Sequence, residues 1–120
     1  MKKPKEQNEA EESFYLACRA FKHPIPKREF MFHPERKFRL DFAWPDHLVA
    51  LEVEGGIYKG GRHTSITGFE GDCIKYALLA QAGWRLYRFT TGQVKKGIAL
   101  MFMEEEFRRW AEKGTTGGSL

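Results

Sequence analysis

Phe38-Arg39-Leu40-Asp41-Phe42, followed further on by Leu51-Glu52-Val53-Glu54-Gly55-Gly56, decides the fold of this chain. In both runs apolar and charged side chains alternate, the period-two pattern of a half-buried strand. Trp44-Pro45-Asp46-His47 between them supplies a turn, so the runs are expected to pair as a hairpin. The registers that set Leu40 and Phe42 on the face of Leu51 and Val53 also set Asp41 on the face of Glu52 and Glu54. Three carboxylates gathered on one face repel one another at low effective dielectric unless a divalent cation intervenes. All-oxygen ligation points to Mg²⁺ or Mn²⁺ rather than zinc. The alternative is a sheet with one wet side, where Glu52 and Glu54 pair with Arg39 or Lys75.

Working outward, Glu6 to Phe21 reads as a helix whose inner face carries Phe14, Ala17, Cys18 and Phe21, extended one turn earlier by Glu11. Pro24 and Pro26 end it, and 29–32 reads as extended. The strand 48–54 runs into Gly55-Gly56-Ile57-Tyr58-Lys59-Gly60-Gly61, a loop by its glycines. Residues 68–82 form a second helix by spacing, with Phe69, Cys73, Tyr76, Ala77 and Ala80 inward and Gly83 as its C-terminal cap. A strand at 84–89 follows. Thr90 and Gln93 make a capping box that opens a last helix through Val94, Ile98 and Met101 to Trp110. The expected fold is α/β, a central mixed sheet with the acid-bearing hairpin, flanked by helices. It occupies one domain, 1–113, with a frayed tail at 114–120.

The chain has 120 residues, 42% of them hydrophobic, enough for a single compact core. Lys and Arg outnumber Asp and Glu by 20 to 16, for a formal charge of +4. Between Lys22 and Arg39 the basic residues Lys22, Lys27, Arg28, Arg36, Lys37 and Arg39 crowd the approach to Asp41, as a polyanionic partner requires. Cys18 and Cys73 each lie in an apolar helical pattern and read as buried thiols of a reducing, cytoplasmic protein. No apolar run is long enough to span a bilayer, so no membrane partner is expected.

Asp41, ten intervening residues, Glu52-Val53-Glu54 and an acid on the first helix together resemble the PD-(D/E)XK nuclease superfamily. Phe32-His33-Pro34, Leu40-Asp41-Phe42-Ala43-Trp44-Pro45, Glu52-Val53-Glu54-Gly55-Gly56, Gly61-Arg62-His63 and Gly83-Trp84-Arg85-Leu86-Tyr87-Arg88-Phe89 resemble, more closely, small phage and prophage nucleases related to archaeal-type Holliday junction resolvases. The likeness spans 11–91. It implies a restriction-endonuclease-like core and Mg²⁺- or Mn²⁺-dependent hydrolysis of DNA, foremost at a four-way junction and by a homodimer in the cytoplasm of a bacterial host. A nicking or mismatch-repair (very-short-patch-like) endonuclease is the alternative enzyme. A DNA-binding module without catalysis is the alternative of another class.

The resemblance makes Asp41 and Glu52 metal-binding acids, the backbone carbonyl of Val53 a further ligand, and Glu11 the helix-borne glutamate, with Glu12 the alternative register. The superfamily lysine is missing two residues after Glu52, where Glu54 stands. Either Glu54 adds ligation, or a lysine arrives from elsewhere, for which Lys75 is the candidate against a simple pairing with Asp72. His63 is a candidate for phosphate contact or proton transfer. Lys27, Arg28, Arg36, Lys37, Arg39, Tyr58, Lys59 and Arg62 are the expected DNA contacts. Met101, Phe102, Met103, Phe107 and Trp110 offer either a dimer face or core.

Overall fold

A computed structural model describes residues 3–55 and 66–113. The elements run α1 (Lys5–Ala20), β1 (Lys27–Met31), β2 (Arg39–Trp44), β3 (Val49–Glu54), α2 (Ile66–Gln81), β4 (Arg85–Thr90), α3 (Thr91–Lys95) and α4 (Ile98–Glu112). Four strands form one mixed sheet in the order β1-β2-β3-β4, antiparallel except for the parallel pair β3 and β4. β2 and β3 are the expected hairpin. Its turn is a short 3₁₀ segment, Pro45–His47, closed by Leu48 in the left-handed region at φ 53°. Among the described residues no helix is long and apolar enough to cross a membrane. The Tyr58, Lys59, Arg62 and His63 assignments and the 114–120 tail lie outside the described residues.

Helices cover both faces. On one, Ala10, Phe14 and Cys18 of α1 pack with Phe42, Trp44, Val49, Leu51 and Val53 of the hairpin and with Val94, Ala99, Met103, Phe107 and Trp110 of α3 and α4. On the other, Leu79 of α2 packs on Leu40, Ala43 and Ala50. Cys18 is fully buried, which pushes its thiol up to about 12. The hairpin register pairs Phe42 with Leu51 and Trp44 with Val49. β4 lies along the other side of β3, pairing Glu52 with Arg88 and Glu54 with Thr90.

One register expectation is corrected. Leu40 and Phe42 do not share a face, because Leu40 belongs to the α2 side and Phe42 to the α1 side. β1 changes faces at the same level: Phe30 joins Leu40's cluster, while the Arg28 guanidinium lies over the Tyr15 and Phe42 rings at 5.0 and 5.7 Å. Between Arg28 and Phe30 sits Glu29 at φ 50°, a left-handed conformation that interrupts strict alternation. A non-glycine residue held there costs about 1–3 kcal/mol.

α2 also turns differently from its expected face. Phe69 and Cys73 are exposed, as are Ala77 and Ala80, and the residues directed at the sheet are Lys75, Tyr76 and Leu79. Small and apolar residues occur all round this helix, so the pattern has little directional information, and the polar contacts of Lys75 and Tyr76 set its rotation. Phe21 stands just past α1 and is exposed. The last helix is two: the Thr90–Gln93 capping box forms as expected, but Gly97 at φ 84° separates α3 from α4. Met103, Phe107 and Trp110 are core, while Met101 and Phe102 are exposed. Gly83 does cap α2, at φ 87°, with its N–H bonded to Ala80 O and that of Trp84 to Leu79 O.

Candidate functional site

The acids come from α1 and from the middle of the β1–β2 pair. Glu11 is on the buried face of α1 and is itself 2% exposed, in the same stripe as Ala10, Phe14 and Cys18. Packing of that stripe on Phe42 therefore carries a carboxylate against the sheet beside Asp41. Asp41 lies within the β1–β2 pair, between Leu40 and Phe42, which are registered with Phe30 and Arg28. Its Oδ2 accepts the Val53 N–H at 2.8 Å, so the side chain replaces a ladder carbonyl and fixes the carboxylate against β3. Glu29 lies across from Asp41 in the β1–β2 register.

One oxygen each from Glu11, Glu29 and Asp41 lie within 4.8 Å of one another. At their centre is the Lys3 ammonium, 3.0 and 2.8 Å from the two Glu11 oxygens, 2.6 Å from Glu29 Oε2 and 2.8 Å from Asp41 Oδ1. Burial pulls the Lys3 pKa down, but the hydrogen bonds to Asp41, Glu11 and Glu29 outweigh it and raise the value overall. Burial raises the Glu11 pKa, with Lys3 opposing. Gln7 braces the group from one turn earlier, its Nε2 donating to Val53 O at 2.9 Å and Glu11 Oε2 at 3.3 Å. Gly55 makes room for that amide, since a Cβ there would stand 2.6 Å from Gln7 Oε1.

Glu52, 6% exposed, is on the α2 side. Its Oε2 accepts from Lys75 Nζ at 2.8 Å and its Oε1 from the Tyr76 hydroxyl at 2.9 Å. Burial lifts its pKa against the pull of Lys75, and the Asp41 charge adds to the rise, which couples the two acids electrostatically. Glu54 is held by Arg88, Nε to Oε2 at 2.9 Å, and that guanidinium lies 4.7 Å over the Tyr76 ring.

The structure thus gathers Glu11 and Asp41 in one cluster and sets Glu52 beside Lys75. It turns Glu54 toward Arg88 and gives the Val53 carbonyl to Gln7. Glu12 faces away, paired with Arg28 at 2.8 Å. Lys27, Arg36, Lys37 and Arg39 are exposed, Arg36 resting 4.9 Å over Phe38 and Arg39 lying 3.9 Å from Glu29. Glu29 and Lys3 are the members that the sequence reading missed. Glu29 could have been found by pairing 29–32 with the strand through Asp41. Lys3 carried no signal beyond its charge.

The donor set fits a divalent cation. Oxygens on opposite sides of an octahedral Mg²⁺ are about 4.2 Å apart, close to the spread of these carboxylates, and a cationic nitrogen already sits among them. Carboxylates from three separate elements, with no nitrogen or sulfur donor, are what a hard ion takes.

This fold occurs in a solved homing endonuclease catalytic domain, that of I-Bth0305I. The match spans 86% of this chain and 94% of that domain at 14% identity, with a TM-score of 0.57. No family model matches the sequence, and no curated protein does. The fold is therefore a four-stranded mixed sheet flanked by helices, similar to an endonuclease catalytic domain.

Proposed function

We propose that this chain is a divalent-metal-dependent DNA endonuclease of the PD-(D/E)XK kind. The observation that carries the reading is the convergence of Glu11, Glu29 and Asp41 on one cation-sized position, with Glu52 of the hairpin's other strand coupled electrostatically to Asp41 and paired with Lys75 of α2. Glu11, Glu29 and Asp41 would hold Mg²⁺ or Mn²⁺, with Glu52 as the adjoining acid. A divalent ion bound there supplies charge to a scissile phosphate and acidifies the attacking water. Lys75 reaches the acid from α2, and it takes the role of the lysine missing at position 54, orienting that water or neutralising developing phosphate charge. Glu54 pairs with Arg88 instead of adding ligation. Lys27, Arg36, Lys37 and Arg39 contact the phosphate backbone and position DNA with little sequence preference.

The finer reading is cleavage of branched DNA, a four-way junction first, by a homodimer whose contact includes Met101 and Phe102. It rests on the motif resemblance. A panel of labelled junction, nicked, single-stranded and duplex DNAs with Mg²⁺, Mn²⁺ or chelator tests it. Junction cut in preference to duplex, with metal only, is the expected result. Equal cutting of plain duplex points to the nicking or mismatch-type enzyme, and intact strands in every lane, with DNA bound, to a module without catalysis.

A further inference from the structure

We infer that Lys3 is a resident counter-cation of the acidic cluster, and that a divalent metal binds this protein by displacing it. The inference rests on the metal-binding reading above.

An ammonium has three N–H donors, yet four carboxylate oxygens from α1, β1 and β2 lie within 3.0 Å of Lys3 Nζ. It is coordinated in the manner of an ion rather than paired in the manner of a surface salt bridge. Its charge does not satisfy the site. Three carboxylates around one ammonium leave two negative charges, of which Arg39, 3.9 Å from Glu29, offsets one, so a dication in the place of the ammonium neutralises the group and is the better partner.

The geometry also lets Lys3 leave without unfolding. Lys3 precedes α1 by one residue, Pro4, and α1 is anchored independently by Ala10, Phe14 and Cys18 in the core. Asn8 N–H bonds to Pro4 O at 3.0 Å, fixing the backbone beside Lys3 while its side chain can rotate outward. In metal-free protein, then, the lysine suppresses carboxylate repulsion. A fraction of molecules with Lys3 withdrawn binds metal, so apparent affinity is weakened by that fraction.

Isothermal titration of the whole chain with Mn²⁺, without DNA, tests this. Lys3→Ala and Lys3→Met are expected to bind about tenfold more tightly than the unchanged protein. Both variants should melt lower than the unchanged protein in chelator and recover with Mn²⁺. Equal affinity in all three overturns the displacement while leaving the metal site intact. No binding in any of them overturns both this inference and the metal-dependent reading. A second measurement does not require the Ala or Met variants to fold. In ¹⁵N-lysine-labelled protein, the Lys3 ¹⁵Nζ resonance, assigned by its loss in Lys3→Arg, should move to the position of exposed lysines on adding Mg²⁺. A Lys3 resonance unmoved at saturating Mg²⁺ contradicts displacement.

Discussion

The Asp41 carboxylate accepts the Val53 backbone N–H at 2.8 Å, which makes a single side chain both a rung of the β2–β3 ladder and a member of the acidic cluster. The two roles separate by substitution. Asp41→Asn retains an acceptor for Val53 N–H and loses the charge, so the fold should hold while cation binding and cleavage vanish. Asp41→Ala also leaves that N–H without its partner and should cost about 1–3 kcal/mol of stability. Chemical denaturation beside metal titration of the two variants distinguishes the effects.

Lys75 is bonded to Glu52, so the role proposed for it can be read through that acid. In Lys75→Met the buried carboxylate keeps Tyr76 but loses its cation, so its pKa climbs further, because Lys75 is what opposes the burial effect. Cleavage should fall about 10²–10³-fold, the scale of losing one preorganised electrostatic group. The pH profile should shift upward, with more base needed to ionise Glu52. A pH–rate profile unchanged in shape assigns Lys75 a purely structural role.

Glu29→Asn tests the member found only in three dimensions. Asparagine tolerates the left-handed conformation at φ 50°, so stability should change by no more than about 0.5 kcal/mol. Mn²⁺ affinity should fall about tenfold or more, since 1.4 kcal/mol lost at the site is a factor of ten. Unchanged affinity removes Glu29 from the metal site.

The rotation of α2 can be tested by stability alone. Leu79→Ala should cost about 2–5 kcal/mol, as a fully buried leucine, whereas Phe69→Ser should stay within about 0.5 kcal/mol. The reverse order of effects contradicts the observed face.

Metal binding should strengthen as pH rises. Glu11 and Glu52 have folded pKa values raised above the ordinary carboxylate value of 4.5, and in the proposed site a proton must leave Glu11 before it binds a cation, while an ionised Glu52 beside it adds to the attraction. The same shifts fix the sign of the stability effect. Between 4.5 and the raised values the native state holds more protons than the unfolded chain, so metal-free stability falls as pH increases through that window. Lys3, also raised, contributes stability that is present below its ordinary value of 10.5 and is lost only in more alkaline solution. Mn²⁺ titrations from about pH 5 to about pH 8 should show affinity climbing and protons released.

Where local pattern and tertiary packing agree, the sequence was sufficient. The β2–β3 hairpin, the α1 stripe reaching Glu11, the Thr90–Gln93 capping box and the Gly83 cap all have short-range causes, and all form. It failed where a long-range contact overrules the period. Leu40 and Phe42 lie on opposite faces at the level where Glu29 is left-handed and the Asp41 side chain takes the Val53 N–H, and the polar contacts of Glu52 with Lys75 and Tyr76 accompany a face of α2 other than its apolar spacing. Lys3 joins Glu11, Glu29 and Asp41 across 8, 26 and 38 residues, separations no local rule reads.

The most direct test is cleavage of end-labelled DNA by the unchanged chain and by Asp41→Asn, each with Mg²⁺ and with chelator. Mg²⁺-dependent strand scission yielding 5′-phosphate and 3′-hydroxyl ends, abolished by chelator and by Asp41→Asn, is the expected result. Scission that persists in chelator or in pure Asp41→Asn, or DNA left whole by the unchanged chain in Mg²⁺ and in Mn²⁺, contradicts a metal-dependent nuclease centred on Asp41.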